Sequence, residues 1–179
     1  MFGFHKKKKF EPLVVENECG KFTMGYSFGN PDKPVYEYSG FVDWCGHETK
    51  VVVRCDTEDS LTADNNFARL AKLLEDVGKA EKLDNEMRDR AFKEVVQGGD
   101  IDYIIYWDKK KRCQIENPVP ITKEQFLEQI RLRYIVVWED DYVEFNFALF
   151  SQVELWMYVD SNGNIDYWEI PGDVLCEQH

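Results

Sequence analysis

Long apolar runs, histidines and recurrent cysteine spacings are scarce in this chain, and each shortage removes a class of protein. The longest wholly apolar stretches are a few residues, as at Tyr134–Ile135–Val136–Val137–Trp138, far too short to cross a bilayer as a helix. At the N-terminus Lys6 to Lys9 follow a very short apolar piece. That is the reverse order of a secretory signal, so a cytoplasmic location is expected. The five cysteines, Cys19, Cys45, Cys55, Cys113 and Cys176, are odd in number and contain no C-x-x-C pair. This argues against a disulfide framework or a thiolate zinc knuckle and for reduced, partly buried thiols. With only three histidines, His5, His47 and His179, a His-rich metal site needs distant segments to converge. No G-x-S-x-G elbow, phosphate loop, G-x-G-x-x-G or H-E-x-x-H occurs, which lowers the expectation of an enzyme without excluding one.

Basic charge is also short. Lys and Arg total 22 against 34 Asp and Glu, a formal charge of −12 and a pI near 4.7. A nucleic-acid surface needs clustered cations, so none is expected. No Lys or Arg follows Arg133, whereas ten acidic residues do: Glu139, Asp140, Asp141, Glu144, Glu154, Asp160, Asp166, Glu169, Asp173 and Glu177. The charge of the last quarter is therefore −10, and only −2 remains for everything before it.

What is present is ordinary core material, 44% hydrophobic and 15% aromatic over 179 residues. That is enough for one domain with a sizeable core and short for two. The expected fold class is α+β, antiparallel sheets or meanders with about three helices packed on one face. Its expected parts are N-terminal strands over 1–55, helices over about 60–97, a third helix over about 122–133 and a β-meander over 134–172. Phe22 to Phe28, Val35 to Val42 and Lys50 to Cys55 read as strands by their β-branched and aromatic content. Trp44–Cys45–Gly46–His47 is a turn between them, and Gly29 to Pro34 a loop. Lys6 to Lys9 read as a solvated strand end.

From Asp59 to Val77 the apolar residues Leu61, Phe67, Leu70, Ala71, Leu74 and Val77 recur mostly at three or four, a helix laid on a core. A second helix carries Leu83, Met87, Ala91 and Val95 at four-residue steps and ends at Gly98–Gly99. Asp102 to Trp107 is a further strand that runs into the charged loop after it. Thr122 and Gln125 form a capping box that starts a third helix through Phe126, Leu127 and Ile130 to Arg133.

The last quarter reads as strands Tyr134 to Trp138, Val143 to Leu149, Val153 to Val159 and Ile165 to Ile170. Asn162–Gly163 between the final two is a strong hairpin signal, because both residues tolerate positive φ. With that pair in the turn, partners are Leu155 with Ile170, Met157 with Trp168, Trp156 with Glu169 and Tyr158 with Tyr167. Glu154, Trp156, Tyr158, Tyr167 and Glu169 then share one face. Leu155, Met157, Trp168 and Ile170 share the face toward the core helices.

Two chemical readings compete with structural ones. Asp160–Ser161–Asn162–Gly163–Asn164–Ile165–Asp166 places oxygen ligands alternately, as a calcium loop does. An EF-hand, however, needs Gly sixth and Glu twelfth, where this chain has Ile165 and Pro171, so a hairpin turn is expected. Cys45 and His47 flank Gly46 and could pair as nucleophile and base, but no orienting third residue is evident. No catalytic residue, cofactor or metal is assigned.

The Trp44 and Gly46 turn before Val51 to Val53, the capped helix from Thr122 to Ile130, and Asp160, Gly163 and Ile165 together resemble an uncharacterised bacterial domain-of-unknown-function family, family 2262. The resemblance spans about Gly40 to Gly172 and implies a small cytosolic α+β protein, in relatives sometimes encoded near toxin systems. Some related families carry a His before the penultimate strand, where this chain has Ser151–Gln152. No catalytic residue carries over. The expected function is a non-enzymatic interaction protein whose acidic, aromatic sheet face, Glu154, Trp156, Tyr158, Tyr167 and Glu169, meets a basic protein partner. An immunity protein against a cationic toxin is one concrete version. The alternative is a small hydrolase with a cleft near Cys45 and His47, and an exposed sheet edge leaves a homodimer open.

Overall fold

Alternating β-branched and aromatic residues make strands here because Val35–Trp44, His47–Cys55 and Val153–Val159 supply core residues while their backbones find partners in the sheet. The computed structural model describes residues 13–27, 35–55, 60–97, 103–108, 112–118, 122–138, 142–149 and 153–169. The elements in chain order are β1 (Val14–Asn17), β2 (Gly20–Ser27), β3 (Val35–Trp44), β4 (His47–Cys55), α1 (Ser60–Leu74), α2 (Val77–Ala91), a π-helical turn (Phe92–Gln97), β5 (Tyr103–Asp108), β6 (Cys113–Pro118), α3 (Lys123–Gln129), β7 (Arg131–Val137), β8 (Val143–Leu149), β9 (Val153–Val159) and β10 (Ile165–Glu169). Lys6 to Lys9 lie outside the described residues, as do Ile170 and the C-terminal acids Asp173 and Glu177.

Among the described residues the fold is a mixed α/β arrangement with three α-helices and one large, mostly antiparallel sheet. Its order is β1-β2-β3-β4-β7-β8-β9-β10, beside a separate hairpin of β5 and β6. The expected antiparallel sheets or meanders are here one sheet, antiparallel except for one pair. The N-terminal and C-terminal strands join edge to edge through β4 and β7, a parallel pair in which Val51 opposes Ile135 and Val53 opposes Val137. A parallel pair requires a crossover, which the helices and the β5–β6 hairpin supply. The architecture is strand-rich.

The core is one cluster. Phe22, Trp44, Val51, Val53, Ile135, Val137, Phe145, Phe147, Leu155 and Met157 come from the sheet, and Phe67, Leu70, Leu83, Met87, Val95 and Phe126 from the helical segments. Gly40 on β3 is where Phe22 fits, since a Cβ there would stand 2.6 Å from the Phe22 ring. Val77, expected in the helical stripe, instead opens α2 and is exposed. Asp76 caps that helix with its carboxylate, accepting from the Lys79 N–H at 3.2 Å.

The four-residue spacing of Leu83, Met87, Ala91 and Val95 has a structural answer. In an α-helix each such step drifts about 40° around the axis, so Val95 would leave the core face. The wider π turn over Phe92–Gln97 absorbs that drift, and all four residues are buried. The third helix carries its capping box, Gln125 N–H to Thr122 Oγ1 at 3.3 Å and Thr122 N–H to Gln125 Oε1 at 3.0 Å. It ends at Gln129 rather than Arg133, because Ile130 turns extended and Arg131 enters β7. The strand at Cys113–Pro118 was not legible as one.

Candidate functional site

The last hairpin has nearly the register read from the sequence, reached by a different turn. Tyr158 opposes Tyr167, Met157 opposes Trp168 and Trp156 opposes Glu169. Only Gly163 has positive φ, 85°. The turn is a three-residue loop, Ser161–Asn162–Gly163, closed by Asp160 N–H to Asn164 C=O at 2.9 Å and Gly163 N–H to Asp160 C=O at 3.0 Å. This is the type I turn followed by a left-handed residue. A register shift between Ile165 and Tyr167 then restores the expected pairs. Asp160 organises the loop, its Oδ1 accepting from the backbone N–H of Asn162 at 2.9 Å and of Asn164 at 2.8 Å. Those bonds, that from the Asn164 backbone foremost, hold its carboxyl below the usual range.

Pairing of β8 with β9 extends the row across the sheet. Glu144 opposes Tyr158, Asn146 opposes Trp156 and Ala148 opposes Glu154, while Tyr134 of β7 opposes Asn146. Glu154, Trp156, Tyr158, Tyr167 and Glu169 therefore occupy register positions of one sheet face. Leu155 and Met157 lie fully buried in the core on the other. Trp156 and Glu154 are half-buried, Tyr158 is buried, and the side chains of Tyr167, Trp168 and Glu169 lie outside the described residues.

Besides Asp160, two acids of this region are engaged with their neighbours. Glu154 pairs with Arg133, and Glu144, itself buried, accepts from the Trp138 indole at 3.0 Å. The Arg54 guanidinium lies 4.2 Å from the Trp138 ring centroid and pairs with Glu37 at 2.8 Å. Burial, with Glu144 and Glu154 nearby, pushes the Tyr134 phenol up, so it stays neutral at physiological pH.

One residue here was missed by sequence reasoning. Asn146 is fully buried, and among the described residues neither its Oδ1 nor its Nδ2 has a hydrogen-bond partner, nor does the buried Nε1 of Trp156 opposite it. The alternation Glu144–Phe145–Asn146–Phe147 marks Asn146 as a residue of the non-core face. That alternation does not by itself tell that Asn146 is buried.

The first hairpin tip was the other candidate. Trp44 opposes His47 across Cys45 and Gly46, whose φ values are 53° and 80°, a two-residue turn of the I′ kind. Asp43 accepts from the Gly46 N–H at 2.7 Å. Trp44 is buried and donates to Asp84 at 3.2 Å. Asp84 also binds Arg88 at 2.6 Å, and Arg88 reaches the Ile130 carbonyl at 3.1 Å. Burial, reinforced by Asp84 and Glu81, pushes the Cys45 thiol up to about 11. A thiol so raised stays protonated at neutral pH and is a poor nucleophile. His47 is exposed at the tip.

This geometry defines a mixed α/β protein with an aromatic, partly polar sheet face and no assigned chemistry. The chain belongs to the family described as uncharacterized protein conserved in bacteria (DUF2262), which it matches over residues 9–168. No curated protein and no solved structure matches it. No helix among the described residues is long and apolar enough to cross a membrane.

Proposed function

We propose that this chain is a non-enzymatic interaction protein that meets a basic protein partner through the sheet face carrying Glu154, Trp156, Tyr158, Tyr167 and Glu169. The observation that carries the reading is the register, which lines up these five positions opposite the core residues Leu155 and Met157. Aromatic faces attract Lys and Arg side chains, and carboxylates supply the complementary charge. In this reading the three helices pack on the opposite face, and the partner meets the part of this one around Trp156 and Glu154. Half-buried Trp156 and Glu154 are its accessible part, and Tyr158, on the same face two positions along the strand, is buried. The setting is the cytoplasm, and an immunity protein against a cationic toxin is one form the function takes.

The test is a pull-down from native cytosol with the full chain as bait, repeated at low and high salt. Surface charge pairing weakens as the screening length shrinks, so one basic partner is expected at low salt and lost at high salt. The Trp156→Ala, Glu169→Lys double variant is expected to lose that partner. Undiminished binding by the double variant removes this face from the account.

A further inference from the structure

The outer face of the sheet at the β3–β4 tip differs in charge pattern from the acidic end around Trp156, and it lies open to solvent. We propose that this chain self-associates there, a second copy setting its own Phe41, Glu48 and Lys50 against the same three residues. Phe41 opposes Lys50 and Asp43 opposes Glu48 across the two strands. Directly opposed residues, and residues two apart on a strand, share a face, while Val42, Trp44 and Val51 hold the core on the other. Phe41, Asp43, Glu48 and Lys50 are all exposed, and a Cβ added at Gly46 in the turn would meet nothing within 4 Å.

A single exposed phenylalanine specifies no partner. Phe41, 58% exposed, gains its meaning from the charges beside it. Asp43 spends its carboxylate on the Gly46 N–H at 2.7 Å, which leaves Glu48 and Lys50 to carry the charge of this face at the tip. Neither belongs to an ion pair among the described residues. They stand two residues apart on one face of β4, about 7 Å along the strand, with opposite signs.

That pattern is its own complement. A two-fold axis running across the strands between these two positions places Lys50 of each copy over Glu48 of the other and sets the two Phe41 rings side by side. Such a contact closes on itself at two copies, with the strands aligned as in face-to-face sheet packing. A face of one sign selects a foreign partner of the other sign, whereas alternating signs at one spacing select the same face turned about. Along this row Lys50 opposes Tyr134, Tyr134 opposes Asn146 and Asn146 opposes Trp156. The acidic end is therefore three strands from Lys50, and the two surfaces are separate.

The test is sedimentation equilibrium of the purified full chain, loaded from about 1 μM to about 1 mM, the range in which a small interface associates. The mass is expected to rise from 21.1 kDa toward twice that value, and Phe41→Ser is expected to weaken association about tenfold. Lys50→Glu alone and Glu48→Lys alone are each expected to weaken it about tenfold, because like charges then face each other. An equimolar mixture of these two variants is expected to recover it, because each new carboxylate meets a new ammonium; misfolded chains would not recover on mixing. A wild-type chain that stays monomeric throughout overturns the proposal, and so does a mixture that associates no better than its components. The Trp156→Ala, Glu169→Lys variant is expected to dimerise as the wild-type chain does, so self-association and capture of a basic partner can fail separately. Loss of dimerisation in that variant moves the contact to the acidic end and also overturns the proposal.

Discussion

The two hairpins β3–β4 and β9–β10 each reverse the chain at a residue pair ending in glycine, and they solve the reversal differently. In the first, Cys45 and Gly46 both take positive φ, so two residues suffice and the pairing runs uninterrupted from Trp44–His47 to Tyr36–Cys55. In the second, Asn162 is the better left-handed residue by type, yet only Gly163 has positive φ. The Asp160 carboxylate makes the difference by taking the N–H groups of Asn162 and Asn164, which favours a three-residue loop and a compensating register shift. A turn is decided by which polar groups it can satisfy as well as by which residues tolerate positive φ.

Anchoring separates the two hairpins as well. Trp44 fastens the tip of the first to α2 through Asp84 and packs on Phe145 with ring centroids 5.1 Å apart. Trp44→Ala is the most damaging change expected, about 3–5 kcal/mol of stability from lost packing, measured by urea denaturation. A loss below about 1 kcal/mol would mean that the turn alone holds the first hairpin.

Next in size are two opposite changes at the left-handed positions. Gly163→Ala is expected to lose about 1 kcal/mol, because alanine meets a steric cost at positive φ. Cys45→Gly is expected to gain up to about 1 kcal/mol by relieving that cost. A loss on Cys45→Gly would show that the partly buried side chain contributes more by packing than its backbone strain costs.

The smallest effect is electrostatic. The folded-state carboxyl of Asp160 titrates below its ordinary value, so its contribution to stability is present above the unfolded pKa and is lost as pH falls through the folded one. The stability difference between the wild-type chain and Asp160→Ala, followed from pH 6 down to pH 2, is expected to shrink toward acid. A difference that stays constant over this range would sever the loop from the charge of Asp160.

Local features were legible because their causes are local. The capping box at Thr122 and Gln125, the turn at Cys45–Gly46 and the buried series Leu83, Met87, Ala91 and Val95 each depend on residues within one or two turns of backbone. The pairing of Trp156 with Glu169 and of Tyr158 with Tyr167 was legible too, although the turn that produces it was not. Of the five residues of the candidate face, sequence alternation alone assigned the shared face. It could not foresee that Glu154 holds Arg133.

By itself, then, the sequence determined most of the strand and helix segments, which residues of β9 face the core and where the negative charge of the chain collects, since these follow from side-chain size, backbone preference and a period of two or 3.6. Only the tertiary structure decided that β4 and β7 lie parallel and fuse two sets of strands into one sheet, because their partners are about 80 residues apart in the chain. The sequential pairing of β7, β8 and β9 sets Asn146 between Tyr134 and Trp156, and only the folded molecule shows that its amide is buried there with no hydrogen-bond partner among the described residues.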